Sequence, residues 1–328
     1  MTPRHAMIIL VAAALAALAI FLWHVPNFTT SPAPASTPAE AITRFAAIEK
    51  AEAALPLRPE GRSRIFSHGY KTDRVFVLLH GLTNCPEQFV PFARILFASG
   101  ANVVVPRSRY AGYADRMNAE QGLQSAQDLI EQAATGLDLA AGLGNRISVV
   151  GLSGSAVAAA WMAQNRPGIE QVVLVSPFFG LHGHPVPMID GLASLLAIAP
   201  NTYKWWDDQL MESLPGPAYA YPRYGTFCMA DTIRLSRNVR ANLDSRPLQT
   251  SRLDILTTGT DKGANNALTG DLARKWSVQK PGAISIHEFP ESEGIPHDMI
   301  DPNQPGAKTG LVYKKLLEVL GVRPGGAR

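Results

Sequence analysis

Between about residue 70 and residue 322, short runs of apolar residues alternate with longer segments whose apolar positions recur every three or four residues. The runs RVFVLLHG, ANVVVPR, ISVVG, IEQVVLVSP, RLDILTTG and AISIHEF are short and rich in β-branched residues, so they read as strands. The segments between them carry helical spacing: CPEQFVPFARILFASG, GLQSAQDLIEQAATGLDLAAGLG, SAVAAAWMAQN, stretches near 230–243 and 266–278, and TGLVYKKLLEVLG. Several of these stop at glycine, as helices commonly do. Strands alternating with helices predict βαβ units and a mostly parallel sheet covered by helices on both faces. The unbroken apolar strands VFVLL and ISVV fit burial on both sides. From Pro177 to about Met229 the rhythm dissolves into a Pro-, Gly- and aromatic-rich stretch, which reads as an irregular insert.

The first 59 residues follow another pattern. Ala6 to Trp23 is uncharged and apolar over 18 residues, just long enough to cross a bilayer. Arg4 precedes it and no Lys or Arg follows until Arg44, which predicts a single-pass inner-membrane anchor with the remaining chain facing the periplasm. A cleaved signal segment, releasing the domain to the periplasm, is the competing expectation. Residues 25–59, rich in Pro, Ser, Thr and Ala, read as an extended spacer, which leaves 60–328 as the folded domain.

Composition adds exclusions. Of 328 residues, 46% are hydrophobic and 17% charged, enough to fill a sizeable core. The net charge of +3 is scattered, with no Lys/Arg-rich run, so no nucleic-acid partner is expected. No metal site is assigned. The two cysteines, Cys85 and Cys228, fall in the part expected to be exported, where a disulfide would persist, but their spacing does not decide pairing.

In open parallel sheets ligands gather at the carboxyl ends of strands. After ISVV comes Gly151-Leu152-Ser153-Gly154-Ser155. A nucleophilic serine on a sharp strand-to-helix turn needs small residues two before and two after it. Centred on Ser153 those positions hold Gly151 and Ser155. Centred on Ser155 one of them would hold the bulkier Val157. Ser153 is therefore the candidate nucleophile. The N–H of Gly154, at a helix start, and the N–H of Leu82, after the strand RVFVLL, are candidate oxyanion donors. His80 reads as structural. Of the eight histidines, His297 alone sits in a loop after the last strand at the same sheet end, and it is the candidate base. Asp261, at the end of RLDILTTG, is the carboxylate expected to orient it, preferred over Asp254, Asp298 and Asp301. Trp205 and Trp206 in the insert are candidate walls of an acyl pocket.

The order Ser153, Asp261, His297, with LLHGLT upstream, resembles the α/β-hydrolase superfamily over roughly residues 70 to 322. Within it, HGLTNCPEQF, GLSGS, TGTD and PHDMIDP look like bacterial carboxylesterases and monoacylglycerol-lipase-like enzymes. The resemblance implies an eight-stranded sheet, a lid at 177–229 and no cofactor, and the function expected is hydrolysis of carboxylic esters of short-to-medium acyl chain through an acyl-enzyme on Ser153. Ser155 stands where the usual motif has glycine. An acyltransferase using the same acyl-enzyme, and a non-catalytic binding module on a hydrolase scaffold, are the alternative functions.

Overall fold

The structure, a computed structural model, describes residues 5, 7–8, 10–12, 15, 18, 21–22, 24–208, 211 and 216–323. Seven strands form the central sheet: β1 (Arg64–Phe66), β2 (Thr72–Leu79), β3 (Asn102–Val105), β4 (Gly144–Leu152), β5 (Ile169–Val175), β8 (Arg252–Thr258) and β9 (Ile284–Phe289). Their order is β1-β3-β2-β4-β5-β8-β9. Only β1 runs antiparallel, against β3; the other pairs are parallel. Two apolar clusters cover the two faces. One is built on α3 (Ala126–Leu143), α4 (Gly154–Asn165), α6 (Thr226–Ala241) and α7 (Asn266–Gln279), the other on α2 (Val90–Ala98) and α8 (Thr309–Leu320). The central strands β2, β4 and β5 are buried along their apolar halves, as their unbroken hydrophobic runs require.

Among the described residues the expected eight-stranded sheet thus has seven strands. The chain ahead of β1 is the helix α1 (Pro38–Ala53), whose Ala- and Glu-rich sequence favours helix over strand. Its start was encoded: Thr37 Oγ1 accepts from the N–H of Glu40 at 3.2 Å, and Pro38 occupies the first turn. So 25–59, read as an extended spacer, contains a packed helix. Phe28, Ala35, Ala41 and Phe45 join the core, and the Pro26 carbonyl accepts from Asn238 Nδ2 at 2.6 Å.

The transmembrane anchor also needs correction. Among the described residues no helix is long and apolar enough to cross a membrane, a span that takes about 20 apolar residues. Part of Ala6–Trp23 lies outside the described residues. The single-pass inner-membrane placement and the membrane as a partner go with it. Cys85 and Cys228 are both free and buried. Burial pushes each thiol up to about 12, so neither is a thiolate at neutral pH.

The insert contains α5 (Val186–Leu196) and a two-stranded antiparallel ribbon of β6 (Tyr203–Trp205) and β7 (Arg223–Gly225), then runs into α6. It leaves the sheet just after β5, on the rim that carries Ser153.

Candidate active site

Ser153 sits between β4 and α4 with φ 57° and ψ −118°, a conformation that strains any residue with a Cβ. The turn is held from two sides. The Ser153 N–H donates to the Val175 carbonyl at 2.9 Å, and the Ser153 carbonyl accepts from the N–H groups of Ala156 and Phe178. Helix α4 is Ala-rich and almost wholly buried, so it can press close behind the turn. The small-residue requirement is met by direct contact. A Cβ on Gly151 would lie 2.8 Å from the Ser155 carbonyl oxygen and 2.9 Å from Ala156 Cα, closer than real Cβ atoms come. Ser155 is fully buried and donates to Gln132 Oε1 of α3 at 3.1 Å, a packing role rather than an exposed one.

His297 Nε2 lies 2.9 Å from Ser153 Oγ, and His297 Nδ1 lies 2.6 Å from Asp261 Oδ2. Asp261 is buried, and its Oδ1 accepts from the backbone N–H groups of Gly263 at 2.8 Å and Ala264 at 2.9 Å. Burial opposes its ionisation. The hydrogen bond and charge of His297 and the two N–H donors outweigh it and hold the carboxyl below its ordinary range. An ionised carboxylate only accepts, so Nδ1 carries the proton and Nε2 presents a lone pair to the serine hydroxyl. Burial likewise pulls the pKa of His297 down, but the hydrogen bond and charge of Asp261, with Asp298 beside it, bring it above the usual value. The histidine loop is tied to the sheet. Ser176 Oγ donates to the His297 carbonyl, and Thr258 Oγ1 to that of Ile295, both at 3.0 Å.

Leu82 follows β2 and faces Gly154: a Cβ on Gly154 would lie 3.5 Å from Leu82 Cβ. Neither N–H donates to a protein acceptor among the described residues. His80 is fully buried. Its Nε2 accepts from the Ser108 N–H at 3.1 Å and its Nδ1 meets the Gly81 carbonyl at 2.9 Å, while burial lowers its pKa to about 4. It is a neutral pin for this loop. Asp254 and Asp301 are held elsewhere, and Asp298 acts on His297 through its charge alone. Asp254 lies in β8, held by Gln171 and Arg252, and Asp301 accepts from Tyr219 and Asn303. Trp205 is in β6 and half-buried. Trp206 is 52% exposed, stands against Tyr224 and donates from Nε1 to Thr83 Oγ1 at 2.9 Å. Sequence reasoning gave no role to Thr83 and Asn84, whose bonds to Trp206 and Asp301 cross long chain separations and leave no local pattern. No group of three or more His, Cys, Asp or Glu side chains suited to a metal is present among the described residues. A cavity of about 590 Å³ bounded by Arg74, Arg146 and Arg252 lies at the opposite end of the strands and plays no part in this constellation.

Residues 70–248 match the family described as serine aminopeptidase, S33. The chain belongs to that family. Its fold is shared with a lipolytic enzyme from a metagenome (13% identity, 81% of this chain and 99% of the other, TM-score 0.58). It is also shared with a monoglyceride lipase of Saccharomyces cerevisiae (14%, 79% and 90%, 0.58) and a monoacylglycerol lipase of Paleococcus ferrophilus (16%, 79% and 97%, 0.58). At these identities the likeness concerns the α/β-hydrolase fold. No curated protein matches the chain.

Proposed function

We propose that this family member is a serine hydrolase cleaving carboxylic esters of short-to-medium acyl chain through an acyl-enzyme on Ser153. The observation that carries the reading is the relay Ser153 Oγ, His297, Asp261 at 2.9 and 2.6 Å, with Nε2 free to accept a proton. As Ser153 Oγ attacks the ester carbonyl, its proton passes to Nε2, and Asp261 stabilises the imidazolium. The carbonyl oxygen becomes an oxyanion, met by the N–H groups of Leu82 and Gly154. His297 then returns the proton to the leaving alcohol. Water attacks the acyl-enzyme by the same route, with His297 taking its proton, and Ser153 is restored.

The choice of esters over N-terminal peptide bonds draws support from the lipolytic neighbours that share the fold. Trp206 bonds to Thr83 beside Leu82, and a wall of Trp205 and Trp206 over the acyl pocket would favour longer acyl chains by roughly 0.8 kcal/mol per buried methylene until the pocket is full. The test is twofold. A fluorophosphonate probe should place its adduct on Ser153, located by peptide mass spectrometry. The protein should hydrolyse p-nitrophenyl esters, with kcat/KM rising from acetate to a medium chain and then falling, and leave aminoacyl p-nitroanilides nearly untouched. An adduct elsewhere, or faster anilide than ester hydrolysis, overturns the reading.

A further inference from the structure

The residues that hold the Leu82 loop come from the insert. Gly81 to Asn84 is a tight turn closed by the Asn84 N–H donating to the Gly81 carbonyl at 3.1 Å, with the Gly81 N–H on Gln88 Oε1 at 2.8 Å. Beyond that, Thr83 is gripped twice from the insert. Trp206 Nε1 donates to its hydroxyl at 2.9 Å, and the Tyr221 N–H donates to its carbonyl at 2.8 Å. Asn84 is held through a third body. Asn84 Nδ2 donates to Asp301 Oδ2 at 3.5 Å, and Tyr219 of the insert donates its hydroxyl to Asp301 Oδ1 at 2.6 Å. Asn303 closes the knot: its N–H donates to Asp301 Oδ1 at 2.9 Å and its Nδ2 donates to Tyr219 Oη at 3.0 Å. Asp301 is fully buried and lies four residues after His297 in the same loop. One carboxylate is therefore shared by the insert, the oxyanion loop and the histidine loop.

We propose that Tyr219 and Trp206 are positioning residues that hold the Leu82 N–H in register with Ser153, so that the insert acts as a brace of the oxyanion site as well as its cover. This inference rests on the serine-hydrolase reading above. Its physical basis is that an oxyanion donor works only when preorganised to within a fraction of an ångström, and among the described residues Leu82 has no hydrogen bond of its own to keep it there. A brace of this kind acts on the transition state. Loosening it lowers kcat and spares ground-state binding.

The experiment compares Tyr219→Phe, Trp206→Phe and Thr83→Val with the parent protein. Trp206→Phe and Thr83→Val each delete the Trp206–Thr83 bond, and Tyr219→Phe deletes the bond to Asp301 and the one from Asn303. Expected are a fall in kcat of about tenfold on p-nitrophenyl esters, KM within about twofold, and a matching tenfold loss of affinity for an aryl trifluoromethyl ketone, which forms a tetrahedral oxyanion on the serine. A purely structural role would lower melting temperature and leave kcat, per folded molecule, and the ketone affinity unchanged; that result overturns the inference. So does a rise in KM at constant kcat, which would make the insert an acyl wall alone. If Tyr219→Phe fails to fold, Thr83→Val, which touches neither Asp301 nor Tyr219, still decides. Ser153→Ala is run alongside. Full activity in that variant sinks both the hydrolase reading and the brace, whereas its inactivity beside unaltered brace variants sinks the brace alone.

Discussion

Asp261→Asn keeps the shape of the side chain and changes only where protons sit. Oδ1 accepts from the N–H groups of Gly263 and Ala264, and backbone donors cannot become acceptors. An asparagine at 261 must therefore turn its carbonyl oxygen to them and its NH2 toward His297 Nδ1, in the place of Oδ2 at 2.6 Å. An amide NH2 only donates, so Nδ1 must accept and the ring proton moves to Nε2, facing Ser153 Oγ at 2.9 Å. In that tautomer the base has no lone pair for the serine proton. We expect kcat/KM on p-nitrophenyl acetate to fall about 10³- to 10⁴-fold, equivalent to about 4–5.5 kcal/mol of barrier, with the fluorophosphonate labelling rate falling in parallel. The pH profile checks the same reasoning. With His297 as the base, activity would need its neutral form, so the native protein should lose activity as pH falls through a pKa that Asp261 and Asp298 raise against burial. The amide removes Asp261's share and leaves the burial, so the acid limb of the residual activity should move to lower pH. A loss below tenfold in folded protein, an acid limb moving upward, or a more severe Asp301→Asn would refute the argument.

Ser153→Ala should lower turnover by several orders of magnitude, measured at saturating ester. Ser155→Ala should retain activity within about fivefold and lose about 1–2 kcal/mol in urea unfolding, because it strands the buried Gln132 Oε1. Gly151→Ala should lose about 1–3 kcal/mol and most activity, since its Cβ can be relieved only by moving the Ser155–Ala156 backbone that shapes the turn; unchanged kcat would contradict this. Phe28→Ala should cost about 3 kcal/mol of stability by calorimetry or denaturant, because Phe28 is part of the core although it lies in the stretch that reads as a spacer.

What the sequence discloses and what it hides divides along physical lines. The strands β2–β5, β8 and β9 and the helices α2–α4 and α6–α8 are legible because each carries an unbroken apolar run or a repeating apolar face whose length and period name the element. The sharp turn at Ser153 is legible because it demands small residues at fixed offsets, and the meeting of Ser153, His297 and Asp261 follows from their place at strand ends. The helix α1 was written in Thr37-Pro38-Ala39-Glu40, a capping signal masked by the surrounding Pro- and Ser-rich composition. The strands of the β6–β7 ribbon are three residues each, too short for a period to show, and α5 lies in the Pro-, Gly- and aromatic-rich stretch that masks its apolar spacing. The Tyr219–Asp301 and Trp206–Thr83 bonds span 82 and 123 residues, and a single hydrogen bond at such separation has no sequence signature.

The site joins two kinds of support. The Ser153 backbone holds a conformation costing of order 1–3 kcal/mol, and it persists because β4, β5 and the buried helix α4 leave the turn no alternative. The histidine, its carboxylate and the Leu82 loop stand on hydrogen bonds instead: Ser176 to the His297 carbonyl, two backbone N–H groups on Asp261, and the insert on Thr83. Packing is shared among many atoms, so a change under Ser153 is paid mainly in stability. A hydrogen bond is a single contact, so a change in the loops moves a reacting group without unfolding the protein. Core substitutions should therefore sort by melting temperature and loop substitutions by kcat. Gly151→Ala, standing where the two supports meet, should appear in both.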